Sequence, residues 1–432
     1  MIKEKENYTK LINNMALPIL LNYILLTLFE VLDKAIVGRY STTGFAAVGI
    51  ASKIIYTLTG TLGIISVAYN ILAAKLKSEH NDEKFNKLFN VVMTISIAIG
   101  LLFIVIALVF GKELFINAYR LKGEIAVFSV DYFYISSFTV LLNLATFIFS
   151  VYFRNQQNTK VSFYSTFVAT VINIFFDISL VYGKFGFKEF GVKGAAYGSV
   201  IGLVAGILVY IFVLIKKYKL KFVFSFDGSC IKKLFKLYVP LLFQDFIEAT
   251  VFVMMLMAIV SRLSVSDIAS FNLLESIGSL IILPAFAFAQ SSMTLAIQYN
   301  KKEISNKILT IATFETVFLI TLLCIFVIFN PKLTFGFITK DGHLIEKSTK
   351  IFWLVIIIQI INSILQILKC FLQGIGHEKF VLKITSIISI TSIIWIFALA
   401  NLYGLNGIYV GIIINYLICV IIYFFKIRKV NN

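Results

Sequence analysis

Four polar side chains interrupt stretches that are otherwise apolar enough for lipid: Asp33, Asn173, Asp177 and Ser199. In "VATVINIFFDISLVYG" Asn173 and Asp177 are four residues apart, so a helix sets them one turn apart on one face. Counted at about 1.5 Å per residue, Asp33 lies about 27 Å along the first apolar run and Asp177 about 24 Å along the fifth. Ser199 lies about 8 Å in from the opposite edge of the sixth. In a hydrocarbon core about 30 Å thick these depths agree, with Asn173 one turn deeper. Two carboxyl groups close together in a low dielectric cannot both ionise cheaply. Such a pair could hold a proton near neutral pH. Alternatively Asp33, Asn173 and Asp177 could ligate a sodium ion, with the Ser199 hydroxyl beside them. The competing structural reading pairs Asp33 with Lys34 or Lys53 and makes it a helix pin.

The elements that must position these groups are membrane helices. The chain has 432 residues, 59% hydrophobic and 14% charged, with four prolines, against about 25% charged in an average soluble protein. A spanning helix needs about 20 apolar residues. Twelve runs qualify: 15–37, 46–74, 88–111, 126–153, 161–183, 194–215, 238–261, 268–298, 308–330, 350–374, 380–401 and 407–425. The run after "MIKEKENYTK" carries Glu30 and Asp33 and lacks a small-residue cleavage site, so it reads as a retained first helix, not a signal peptide. The net charge of +17 is spread over short loops and points away from nucleic acid. The connections on the side of the termini hold 23 basic residues against 12 on the other side, Lys350 at the edge of its run included, which predicts cytoplasmic termini. The Lys, Ile and Asn bias suggests an AT-rich bacterial genome, hence a bacterial cytoplasmic membrane. Four scattered cysteines and three scattered histidines give no metal, disulfide or nucleophile–base constellation. The expectation is therefore not an enzyme, with no cofactor beyond a coupling H⁺ or Na⁺.

The longest basic connection, 216–236, holds seven lysines and divides the chain into a first six-helix lobe, 1–215, and a second, 237–432. The halves resemble each other. "AIVGRYSTTGFAA" parallels "AIVSRLSVSDIAS", Pro18 falls over Pro240, "FRNQQNTK" parallels "LQGIGHEK", and "FGVKGAAYG" parallels "YGLNGIYVG". The matches keep one order at nearly constant offsets, which indicates an internal duplication. Six spans per half bring both halves in from the same side. The predicted fold is all-α and polytopic, twelve helices in two pseudo-symmetric lobes that alternate access to a substrate between them.

The halves differ in their acids. Asp33 aligns with Met255, and the run Phe380–Asn401 has no acid to match Asp177. The second half instead places Asp245 and Glu248 on its first helix and Glu275 on the next. Glu248, near mid-membrane, either lines the substrate cavity or pairs with a neighbouring helix. Helix ten offers Gln359, Asn362 and Gln366, and "FVMMLM" offers a soft wall at Met254 and Met255. In the first helix Asn22 and Phe29 share the face of Asp33. Asn22, Phe29, Glu248, Met254, Met255, Gln359 and Asn362 are thus the expected cavity residues. Glu30 and Lys34 are spaced for a helix ion pair.

The opening "ALP", "VLDKAIVG", the N-x-x-x-D of helix five, "FRNQQNTK" and "GVKGAAYGS" together resemble the multidrug and toxic compound extrusion (MATE) transporters over nearly the whole chain. The resemblance places Asp33, Asn173, Asp177 and Ser199 on that family's amino-lobe cation site, and Glu248 on its helix-seven acid. It implies a cation-coupled antiporter, acting as a monomer, that exports amphipathic and often cationic drugs and so confers antibiotic resistance. Two departures stand out. Gln157 occupies a position usually glycine, and helix ten lacks the aspartate of members that place a cation in the second lobe. A flippase for lipid-linked oligosaccharides is the rival reading. It calls for cavity arginines, whereas Arg39, Arg120, Arg154, Arg262 and Arg428 all fall in predicted loops or tails.

Overall fold

A computed structural model describes residues 7–220, 222–299 and 301–431, without the side chains of Val31, Lys34 and Asn431. Lys3, Lys5 and Lys221, which the charge count used, and the Lys34 side chain of the proposed pairs with Glu30 and Asp33, lie outside the described residues. The helices are α1 Tyr8–Tyr40, α2 Thr42–Ser78, α3 Asp82–Ala118, α4 Glu124–Asn155, α5 Lys160–Tyr182 and α6 Val192–Tyr218. They continue as α7 Gly228–Val260, α8 Val265–Tyr299, α9 Lys302–Phe329 and α10 Gly342–Gly374, followed by a helical stretch Glu378–Val430. That last stretch is broken at Gly404 (φ 58°, ψ −134°) into α11, 378–403, and α12, 405–430. All twelve expected runs fall on these helices, three of them (161–183, 238–261 and 308–330) running one residue past the end, and no strand occurs among the described residues. Helices of this kind satisfy every backbone group internally, as lipid requires.

Short polar residues start several of them. The Ser41 hydroxyl accepts from the Gly44 amide at 3.0 Å, and the Asn81 side chain accepts from Lys84 at 3.0 Å, supplying acceptors for otherwise orphaned helix-start donors. Gly191 (φ 57°, ψ −131°) precedes α6, and Gly404 repeats that conformation ahead of α12, so the aligned "FG" and "YG" turns share one glycine-dependent bend.

The chain forms two compact units, one of Leu21–Tyr238 and one of residues 7–20 with 239–431. In the first unit Val48, Tyr132, Phe133, Leu144 and Val192 form a buried core. The connection after α6 belongs to it as well. The Ser225 amide donates to Thr94 Oγ1 at 3.2 Å, and Asp227 pairs with Lys87 at 2.5 Å. The core of the second unit gathers Phe271, Leu274, Ile320, Phe352 and Tyr409. The sequence division placed residues 1–215 in one lobe, whereas the first turns of α1 pack with the second unit. Ile12, Met15 and Ala16 are buried against Phe288, Leu295, Ile308 and Ala312, and Asn13 Nδ2 donates to Glu315 Oε1 at 2.9 Å. The apolar face of those turns and one amide–carboxylate bond fix the boundary inside α1.

Candidate cation site

Helices α5 and α6 approach along a row of glycines in α6 spaced by four, Gly194, Gly198, Gly202 and Gly206. A Cβ on Gly202 would come within 2.7 Å of both the Ala169 carbonyl and Asn173 Cβ, and one on Gly198 would overlap Asp177 Oδ1. Small residues at this period let membrane helices touch backbone to backbone. Here they open the space that the polar face of α5 occupies.

In that space Asn173 Nδ2 lies 3.2 Å from Asp177 Oδ1 and 3.4 Å from Ser199 Oγ. The Asp33 carboxyl of α1 is a close electrostatic neighbour of the Asp177 carboxyl. All four side chains are buried, Asp177 completely. The structure thus brings Asp33, Asn173, Asp177 and Ser199 together. The end of α1 is held there by Tyr182 of α5, whose hydroxyl donates to the Ile36 carbonyl at 2.7 Å. Lys53, offered as a partner for Asp33, is exposed and forms no ion pair among the described residues.

Asp177 Oδ2 and Asn173 Oδ1 are buried and receive no hydrogen bond among the described residues. Such oxygens are costly unless something supplies positive charge or a proton. Two facing carboxyls and a carboxamide oxygen meet the oxygen-donor preference of a hard cation, and they equally suit a proton shared between acids. No cluster of three or more His, Cys, Asp or Glu suited to a metal occurs among the described residues, so any sodium ion would be ligated by the two acids with neutral oxygens.

Sequence reasoning missed several neighbours. Tyr132 of α4 is buried close to both Asp33 and Asp177, and Tyr56 of α2 lies near the same pair. The four-residue glycine period was the signal that could have located the α5–α6 contact. Glu315, a mid-helix acid, was also overlooked.

The expected cavity residues divide between the units. Asn22 and Phe29 are half-buried in the first. In the second, Met254 and Met255 are exposed, and Asn362 Oδ1 accepts from Gln366 Nε2 at 2.9 Å. Gln359 is buried, with its amide against Gly278 of α8. Glu248 lies in a π-helical stretch, Phe246–Phe252, a distortion frequent at functional sites. It pairs with Lys369 of α10 at 2.9 Å, so the pairing alternative describes its geometry.

The MatE family model matches this chain twice, over residues 18–179 and 240–398. The two matches begin 222 residues apart, the spacing that sets Pro18 over Pro240. A probable multidrug resistance protein NorM of Thermotoga maritima is 25% identical over 347 residues, covering 77% of this chain and 73% of that protein. A probable multidrug resistance protein YoeA of Bacillus subtilis is 27% identical over 220 residues, 50% of this chain and 46% of that protein. Among solved structures, a MATE protein in a straight conformation superposes with a TM-score of 0.86 at 16% identity, covering 98% of this chain and 96% of that one. A MOP-superfamily transporter from Pyrococcus furiosus gives a TM-score of 0.83 at 16% identity, over 98% and 96% of the two chains. The double match over most of the chain, on an all-helical fold shared with those structures, makes this a multi-pass membrane protein of the MatE family of multidrug efflux transporters, and not an enzyme.

Proposed function

We propose that this transporter is an antiporter that couples the inward movement of H⁺ or Na⁺ to export of amphipathic, often cationic, organic compounds. The observation that carries this reading is the pair of buried, donorless oxygens, Asp177 Oδ2 and Asn173 Oδ1, beside a second carboxyl on Asp33. A cation or proton arriving there neutralises a charge that otherwise stands in low dielectric. Its arrival therefore favours the arrangement of α1, α5 and α6 in which the carboxyls are closest. Differential affinity of the coupling ion for two arrangements is what a gradient needs in order to do work. Both termini face the cytoplasm in this reading, following the basic connections. The two homologous six-helix halves act as lobes that alternate access to the substrate.

The test is efflux of a cationic dye from proteoliposomes holding the purified protein. Dye movement against its own gradient, driven by an imposed proton or sodium gradient, is the expected result. Dye movement that ignores both gradients contradicts antiport.

A further inference from the structure

The connection between the halves is built as more than a spacer. Residues 222–227 run outside any helix until Gly228 opens α7. The Val223 amide lies 3.5 Å from Asn90 Oδ1, and the Ser225 amide donates to Thr94 Oγ1 at 3.2 Å. Two residues of extended chain cover about 6.6 Å and four residues of helix about 6 Å. Alternate amides of the connection therefore meet successive turns of α3. Asn90 and Thr94 stand about 3 and 9 Å along the apolar run 88–111. Thr94 Oγ1 itself donates to the Asn90 carbonyl at 2.8 Å, which leaves its lone pairs for Ser225. Asp227 pairs with Lys87 and closes the strap, accepting from the Ser229 and Cys230 amides at 2.9 and 3.1 Å.

Backbone outside a helix at membrane depth needs such partners, because lipid offers none. The strap also carries apolar side chains. Phe224 is 66% and Phe226 77% exposed, and the Phe222 ring meets Phe224 edge-on with centroids 4.9 Å apart. In water these rings would stand as an uncovered apolar patch. Exposed lysines flank them, Lys216, Lys217 and Lys219 before the strap and Lys232, Lys233 and Lys236 after it. The stretch 216–236 contains a single acid, Asp227, and Lys87 neutralises it.

We propose that residues 222–226 form an interfacial membrane anchor. Phe224 and Phe226 enter the boundary between acyl chains and headgroups, and the flanking lysines hold anionic phospholipid headgroups. The leaflet is the one on the side of the termini, where α6 ends and α3 begins. Aromatic rings suit that boundary, and each lysine beside it gains from a negative surface. The α3 helix sets the depth, because the strap can leave it only by losing Asn90 and Thr94. This goes beyond the exporter reading and does not rest on it.

The test uses full-length Phe224→Trp in nanodiscs whose phosphatidylcholine and phosphatidylglycerol carry brominated acyl chains. Wild-type emission is subtracted to remove Trp353 and Trp395. The added tryptophan emission should fall at least about twofold relative to unbrominated lipid, as for a ring at the interface. That quenching should weaken in phosphatidylcholine alone, and in a variant that also carries Lys216→Gln, Lys217→Gln and Lys219→Gln, because the electrostatic attraction is removed. Phe226→Trp repeats the measurement if the first variant does not fold. Added emission that brominated lipid leaves unchanged overturns the anchor, and aqueous iodide then tells a strap in water from one covered by protein. Quenching that is equal with and without phosphatidylglycerol, or unaltered in the Gln variant, overturns the assignment of the lysines to anionic headgroups.

Discussion

The two halves of the chain carry the same helix pair with opposite chemistry. In the first unit a Cβ on Gly198 of α6 would overlap Asp177 Oδ1, and in the second a Cβ on Gly411 of α12 would lie 2.6 Å from Ile396 Cγ1. The loop alignment of "FRNQQNTK" with "LQGIGHEK" sets Ile396 at the position of Asp177 and Ser392 at that of Asn173. One turn away, Gly194 backs on to Leu180 and Gly407 on to Leu399, again at matching positions. Ser392 Oγ accepts from Asn415 Nδ2 at 2.7 Å, so the second pair closes its polar contact internally. The first leaves two acceptors open. The glycine-lined helix contact is thus the structural part of the repeat, and the carboxylate is what was added to, or lost from, one copy of it.

The comparison can be broken most severely at Asp177. Asp177→Asn keeps size and removes the charge, and gradient-driven export should fall to background while the protein still inserts. Dye efflux beside detection of the membrane-inserted protein separates the two. The reciprocal change, Ile396→Asp, puts a carboxylate where no second acid waits. It should cost about 3 kcal/mol, read as a lowered unfolding temperature in detergent without any new ion dependence. Gly198→Ala drives a methyl into the Asp177 carboxyl and should impair coupling strongly. Gly411→Ala meets Ile396, at 2.6 Å from Cγ1 and 3.1 Å from the backbone Cα, and should cost stability while leaving coupling intact, because no acid is displaced, which efflux and melting curves on both variants compare.

A smaller effect tests the backbone of the repeat. Gln157 has φ 53° and its aligned residue Gly376 has φ 89°, so the bend after α4 and after α10 is left-handed in both halves. A non-glycine residue there costs about 1 kcal/mol. Gln157→Gly should therefore raise the melting temperature slightly, and Gly376→Gln should lower it.

The smallest prediction concerns the connection between the halves. The hydrogen bond from Lys87, helped by the Cys230 amide, holds the half-buried Asp227 carboxyl down at about 2, below its ordinary 3.8. A depressed carboxyl stabilises the folded state above its ordinary value and loses that contribution as pH falls through the depressed one. Protease sensitivity of residues 222–227 should thus rise between about pH 4 and pH 2, and more so in high salt, because exposed pairs are screened. Asp227→Asn should show that sensitivity already at neutral pH.

Much of this was readable without coordinates because lipid imposes so few solutions. Apolar runs of spanning length gave every spanning helix, and the gap between runs 380–401 and 407–425 marked the break at Gly404. Depth counting brought Asp33, Asp177 and Ser199 to one level because helix rise is constant. Lateral neighbours were harder. Tyr132 and Tyr56 carry no periodic signal that ties them to Asp33, and the Glu248–Lys369 pair joins residues 121 apart. The division inside α1 was also hidden, because an unbroken helix gives no mark where its packing partners change. Asn13 and Ile12 reveal it only through Glu315 and Phe288.

The central claim is that coupling resides in the carboxyl pair of the first unit. The most direct measurement is dye efflux from proteoliposomes of wild type, Asp177→Asn and Glu248→Gln, each under separately imposed proton and sodium gradients. The account predicts that one of the two gradients drives wild type, that neither drives Asp177→Asn, and that Glu248→Gln keeps the ion dependence of wild type even where its dye affinity changes. Gradient-driven efflux surviving in Asp177→Asn and vanishing in Glu248→Gln would place the coupling site in the second unit and contradict the account.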